Sequence, residues 1–225
     1  MRTLKESLLD DFGSQAADLR MKLIKEWIKK NNDYETLGLK FNPDGTIDID
    51  KFRYVGDGNF PDYIDFNNCK GNFDISNSKM TSLRGCPEEV GINFYCERNQ
   101  LTSLEGGPKE VGGSFYCYDN KLTSLEDSPK EVGSSFDCSN NQLTSLEGGP
   151  KEVDGNFDCS NNQLKTLNGG PEKVGSDFDC SHNKLKSFKD GPRYIKNILC
   201  VKQNDLDPDE LQWIRENVKY YRLFA

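Results

Sequence analysis

Eight cysteines and one histidine are the side chains of this 225-residue chain best suited to chemistry, and their spacing argues against it. Cys96, Cys117, Cys138, Cys159 and Cys180 are each 21 residues apart, while no C-x-x-C pair occurs. His182 falls on the turn side of the same period and points outward, so it joins no ligand set for a metal. Three aspartates keep the period as well, Asp137, Asp158 and Asp179. Carboxylates on a solvated face need neighbours of other chemistry before they make a reaction. No phosphate-binding glycine loop, H-E-x-x-H helix or G-x-S-x-G elbow occurs, and one histidine in a repeated turn is poor material for a triad. The expectation is a protein with no catalytic residues, no cofactor and no metal.

The interval itself carries more information than any single residue. Pro87, Pro108, Pro129, Pro150, Pro171 and Pro192 keep the 21-residue step, as do Phe73, Phe94, Phe115, Phe136, Phe157 and Phe178, with Leu199 next in the column. Asn99, Asn120, Asn141, Asn162, Asn183 and Asn204 form a third column, with a leucine two residues beyond each. An exact interval held over six copies marks a stacked-repeat architecture. Phe and Cys, two apart, share one face of a short strand and point inward, while the residue between them points out. The asparagine amide can bond backbone that the following turn leaves unpaired. Leucines fill the back of the coil, and Gly and Pro bend the chain toward the next rung. One rung cannot bury its own Phe, Cys and Leu, so stacking must do it. In such a column a thiol is a small buried hydrophobe, which makes the cysteines structural and reduced. Cys69, Cys86 and Cys200 lie outside the column and are expected to include the accessible thiols.

These columns resemble the leucine-rich-repeat family, whose core reads L-x-x-L-x-L-x-x-N-x-L; Phe115 and Cys117 stand in strand leucine positions, and Asn120 and Leu122 close the motif. The resemblance covers residues 71–206. It implies a parallel coil, mostly β, with one strand per rung and helical caps, within the α/β-type repeat solenoids. The rung type "LTSLEGGPKEVGGSFYC", with "LKESLLDDF" and "NPDGTIDID" before it, is similar to uncharacterised repeat proteins of bacteriophages and prophage-bearing bacteria. Bacterial effector ligases with short leucine-rich rungs carry a Cys-x-Asp nucleophile in a separate C-terminal domain. Here Cys117-Tyr118-Asp119 has those letters only because the repeat places them there, and 19 residues follow Leu206.

In this register the outward residue between Phe and Cys runs Asp74, Tyr95, Tyr116, Asp137, Asp158, Asp179, Cys200. After the cysteines come Glu97-Arg98, Tyr118-Asp119, Ser139-Asn140, Ser160-Asn161 and Ser181-His182. The family commonly uses this face for partners, and here it divides into an aromatic part and an acidic row. Tyr and Arg are enriched at binding hot spots. The expected contact centre is Tyr95, Arg98, Tyr116, Tyr118 and Asp119, with Asp137, Asp158 and Asp179 steering a basic protein partner. The plain alternative is that copied rungs simply repeat a soluble aspartate.

Residues 1–32 are read as an N-terminal segment and amphipathic helix, 33–70 as a capping hairpin and first irregular rung, 71–206 as the solenoid and 207–225 as a C-terminal capping helix. Ala16 to Lys30 places Leu19, Leu23, Trp27 and Ile28 at helical spacing, a stripe that either covers the first rungs or meets a partner. Leu4, Leu8, Leu9 and Phe12 form a second apolar set, either a docking element or a frayed end. In the docking case the protein would be a structural or virion-associated component with the solenoid as spacer. Asn42-Pro43-Asp44-Gly45 turns between Leu37–Phe41 and Thr46–Asp50. Asp207-Pro208-Asp209-Glu210 starts a helix to Tyr220 whose Leu211, Ile214 and Val218 face the last rung.

A formal charge of −8, from 37 acidic and 29 basic residues, repels nucleic acid and anionic lipid. No apolar run suits a signal peptide or a membrane span, so a cytoplasmic protein is expected.

Overall fold

The computed structural model describes residues 13–33 and 38–225, and within them the chain is a parallel β-solenoid, mostly β, with two helices. The segment holding Leu4, Leu8, Leu9 and Phe12, and Leu37 at the start of the hairpin, lie outside the described residues. One ladder runs the length of the coil, pairing Phe52–Arg53, Phe73–Asp74, Phe94–Tyr95, Phe115–Tyr116, Phe136–Asp137, Phe157–Asp158, Phe178–Asp179 and Ile198–Cys200 in parallel. Its register is one full rung, Phe to Phe throughout, with Phe178 opposite Leu199.

Side-chain stacking fixes that register. The ladder phenylalanines, Phe52 and Phe73 to Phe178 at the 21-residue step, are fully buried, and from Phe73 onward successive rings stack with centroids 5.3 to 5.9 Å apart. A slip of one residue would turn every ring to solvent. The Cys96 to Cys180 column is equally buried, and the Sγ of Cys96, Cys138, Cys159 and Cys180 each donates to a carbonyl of the next rung at 3.3 to 3.4 Å. All eight cysteines are free. Burial pushes the thiols of the column well above the ordinary range, so they are inert there. Cys69 and Cys86 are buried too, their thiols raised by burial, Cys69 to about 12; of the three cysteines outside the column only Cys200 is partly exposed. They were expected among the accessible thiols because they miss the column. Cys69 instead sits inward on a second strand, and Cys86 packs at the proline bend.

Each asparagine of the repeat ties two rungs together. Asn141 Nδ2 donates to Cys117 O at 3.0 Å and Cys138 O at 3.1 Å, while its Oδ1 accepts from Leu122 N at 2.9 Å. Asn120, Asn162 and Asn183 repeat this geometry. Buried amide and backbone groups thus satisfy one another, which a buried turn requires.

The structure adds a second, two-residue strand to each rung beyond the one expected. A valine ladder joins Lys40–Phe41, Ile47–Ile49, Phe66–Cys69, Glu89–Val90, Glu110–Val111 and Glu131–Val132, then breaks and resumes as Glu152–Val153, Lys173–Val174 and Tyr194–Ile195. The residue after each valine packs tightly on the preceding rung: a Cβ on Gly133 would lie 2.1 Å from Gly112 O. Gly112, Gly133 and Gly175 donate across rungs at 2.8 to 3.0 Å, but Asp154, in the same column, makes no such bond to Val132 among the described residues. Asp154 brings a Cβ to a position where glycine packs against the preceding backbone. Lys196 also carries a Cβ and keeps its bond to Val174 O at 3.1 Å, so the extra carbon loosens the ladder rather than forbidding it. A shallow cavity of about 640 Å³ opens at the break, lined in part by Val132, Gly133, Gly148, Lys151, Glu152 and Asp154.

Both ends are capped. Helix α1, Gly13–Asn31, buries Ile24 and Ile28 and lays Trp27 against Phe52, Tyr54 and Phe60 at 6.4, 5.8 and 5.5 Å. The covering face is therefore Arg20, Ile24, Trp27 and Ile28, not the stripe read from Leu19 and Leu23, which are 59% and 47% exposed. Arg20 reaches Gly45 O at 3.0 Å and fastens the helix to the hairpin, where Lys40 and Phe41 pair antiparallel with Asp48 and Ile47. At the other end helix α2, Pro208–Asn217, is capped by Asp207, which accepts from Glu210 N at 2.8 Å. Glu210 accepts instead from Ser187 Oγ and Phe188 N of the last full rung. Ile214 and Val218 are buried, as the spacing predicts. The chain then leaves the helix earlier than expected, and Arg222–Phe224 adds a closing strand beside Ile198–Cys200.

Candidate functional site

The outward column of the phenylalanine ladder is a surface where copied rungs diverge. Each outward residue faces the same position of its neighbour: Asp74 with Tyr95, Tyr95 with Tyr116, Tyr116 with Asp137, Asp137 with Asp158 and Asp158 with Asp179. Tyr95 and Tyr116 stack at 5.2 Å with their planes 10° apart, and Asn93 Nδ2 donates to the Tyr95 hydroxyl at 3.0 Å. Tyr118, one column over, lies under the Arg98 guanidinium at 5.5 Å, and Arg98 Nε is 3.5 Å from Asp119. The five residues expected at the contact centre therefore occupy two adjacent rungs of one face.

Backbone conformation sets how those side chains are presented. The residue two beyond the inward Cys or Ile is left-handed in every rung from Asn77 to His182, with Arg98 at φ 55° and Asp119 at φ 52°. Asn and Asp tolerate that region, but an arginine there is strained. The strain is held by a ladder bond, Arg98 N to Tyr118 O at 3.0 Å.

The acidic rungs are built differently. In each, the aspartate accepts from the backbone N–H two residues on: Ser139 to Asp137 at 3.0 Å, Ser160 to Asp158 at 2.9 Å and Ser181 to Asp179 at 2.8 Å. Ser139 Oγ adds a second bond to Asp137 at 2.6 Å. Partial burial, with the neighbouring aspartates, nevertheless raises Asp137, and raises Asp158 to about 6; the serine bonds oppose this without cancelling it. A cavity of about 250 Å³ runs beside the row, lined in part by Tyr116, Asp137, Asn156, Asp158, Asp177 and Asp179. Among the described residues no group of three or more His, Cys, Asp or Glu is arranged to hold a metal ion. His182 is exposed at its turn, as the register requires.

Glu97 is a member of this face to which the sequence reading gives no role. It replaces the serine of the acidic rungs, in the column of Ser76, Ser139, Ser160 and Ser181. Only 8% of it is exposed, and its Oε2 is buried with no hydrogen-bond partner. Burial above all, with Asp74 and Asp137 on either side, pushes its carboxyl up to about 7. The signal was available as a departure from serine, but a single glutamate beside tyrosines reads as one more solvated acid. Only packing shows it covered.

No known protein family and no curated protein matches the chain.

Proposed function

We propose that this protein is a non-enzymatic protein-binding module of the leucine-rich-repeat kind, of phage or prophage origin, which engages a basic protein partner in the cytoplasm through the outward face of its phenylalanine ladder. The observation that carries the reading is the departure at two adjacent rungs: where later rungs repeat Asp and Ser, these present Tyr95, Glu97 and Arg98, then Tyr116, Tyr118 and Asp119. Stacking alone would be served by identical rungs. Half-buried tyrosines beside an exposed arginine have the composition of a binding hot spot. The adjoining Asp137, Asp158 and Asp179 supply a negative field that speeds encounter with a basic surface. The leucine-rich-repeat reading draws on the asparagine column, whose amides bond the strand and turn carbonyls of successive rungs.

The test is affinity capture from lysate of the source cells, comparing wild type with a variant in which Tyr95, Tyr116 and Tyr118 are all alanine. The partner is expected to be lost from the variant and retained when residues 1–14 are deleted. Equal capture by the tyrosine variant sinks the reading.

A further inference from the structure

We propose that Glu97, with Tyr95, Tyr116 and Tyr118 around it, forms a recognition pocket for one cationic side chain of the partner, a lysine ammonium or an arginine guanidinium. The inference rests on the partner-binding reading of this face and names the group that face takes.

A carboxylate 92% withdrawn from water, with one oxygen unpartnered, is a costly thing for a fold to keep, and such groups are ordinarily paired or replaced. The Asp74 rung and the rungs from Asp137 onward show the inexpensive solution, a serine in the same column whose N–H serves the aspartate of its own rung. Glu97 has no such aspartate to serve, because its rung carries Tyr95. The nearest cation, Arg98, lies on the Tyr118 ring and 3.5 Å from Asp119; its charge and the glutamate's own backbone N–H ease the carboxyl, but Oε2 is left without a hydrogen bond.

The groups around Glu97 suit a cation. Asp74 stands one rung before and Asp137 two rungs after, both adding negative potential; the thiols of Cys96 and Cys117 lie beneath, and the Tyr95 and Tyr118 phenols are raised chiefly by burial and further by the glutamate's charge. Tyrosine faces attract ammonium and guanidinium groups, and a charged hydrogen bond to the free Oε2 would complete the carboxylate. Tyr118 is the point of entry, since it is half-exposed and leans on a guanidinium that is itself 56% exposed. A partner's cation can take the place Arg98 holds on that ring. Because Glu97 is protonated in the free protein up to about pH 7, capture of the cation should strengthen as pH rises through that value.

The experiment follows the side-chain carboxyl carbons of the full-length protein by NMR through a pH titration, with three probes: N-acetyl-arginine methylamide, N-acetyl-lysine methylamide and neutral N-acetyl-citrulline methylamide. At saturating cation the Glu97 midpoint is expected to fall by about one unit, a roughly tenfold preference for the ionised form, with shifts in the three tyrosine rings. The larger of the two cationic responses identifies guanidinium or ammonium. Glu97→Gln should lose at least about tenfold in probe affinity while Glu126→Gln, at an exposed turn outside this face, loses little. An unmoved Glu97 midpoint, an equal response to citrulline, or full affinity in Glu97→Gln overturns the pocket. Partner capture lost with the tyrosine variant but kept with Glu97→Gln overturns the pocket and leaves the face. Cation binding at Glu97 with capture indifferent to all three tyrosines overturns the face alone.

Discussion

The tyrosine rungs and the aspartate rungs share one ladder, one phenylalanine stack and one buried thiol column, yet they treat charge in opposite ways. In the aspartate rungs each carboxylate is returned to its own backbone through the serine two residues on. In the Tyr95 rung the carboxylate has moved into the serine's column and lost its second partner. The lesson is that a repeat can hold its core constant and still place a poorly satisfied charge at one chosen rung, because the outward columns do not take part in the buried phenylalanine stack.

The largest effect should come from breaking what the two regions share. Cys138→Asp would bury a carboxylate among fully buried neighbours beneath the acidic row, costing several kcal/mol and abolishing a cooperative melt. Cys138→Val should cost less than about 1.5 kcal/mol, since Ile75 and Val201 already fill that column in other rungs. Thermal unfolding of both variants checks it, and a Cys138→Asp protein as stable as wild type would mean the register is wrong.

Glu97→Gln separates the regions next. A carboxyl raised from 4.5 to about 7 binds its proton more tightly in the folded state, so wild-type stability falls as pH rises from about 4.5 to about 7 and then levels. Removing the charge should therefore stabilise by up to about 3 kcal/mol above pH 7 and by nothing below about pH 4. Denaturant melts at the two pH values measure this. A variant less stable than wild type at high pH would show that the ionised carboxylate is satisfied.

A smaller gain of the same sign is expected for Asp158→Asn. Asp158 is raised from 3.8 to about 6, so its destabilisation grows across that window and is complete above it. Asparagine keeps an oxygen for Ser160 N–H and relieves the repulsion from Asp137 and Asp179, which should give about 1 kcal/mol at pH 8 and none near pH 3. A fall in melting temperature at pH 8 would mean that the serine turn needs the full charge.

The smallest effect concerns the other ladder. Where the valine ladder breaks, the amides of Lys151 and Asp154 should exchange with solvent about tenfold faster than those of Glu172 and Gly175, which are bonded at 2.9 and 2.8 Å one rung later. Asp154→Gly should close the gap and slow them. Equal exchange in wild type would show that the ladder is continuous in solution.

Much of this was legible in the residues because the core is periodic. Phe, Cys, Leu and Asn recurring every 21 residues leave one stacking solution, and that solution fixes which side chains point out. Phe52, which stands 21 residues before Phe73, could have extended the column by a rung; the irregular letters between them hid it. The site residues were legible as a departure from the repeat, and the structure places Tyr95, Arg98, Tyr116, Tyr118 and Asp119 side by side as the register requires.

What only the tertiary structure decided depends on distances between rungs and between caps and rungs, which no column of letters encodes. The face of α1 that packs is set by where Phe52, Tyr54 and Phe60 present a surface to Trp27. The second strand of each rung, and its interruption at Asp154, follow from how closely one backbone approaches the next. The burial of Glu97 has the same origin: the sequence supplies the carboxylate and the tyrosines, but only the stacking of rungs takes that carboxyl out of water.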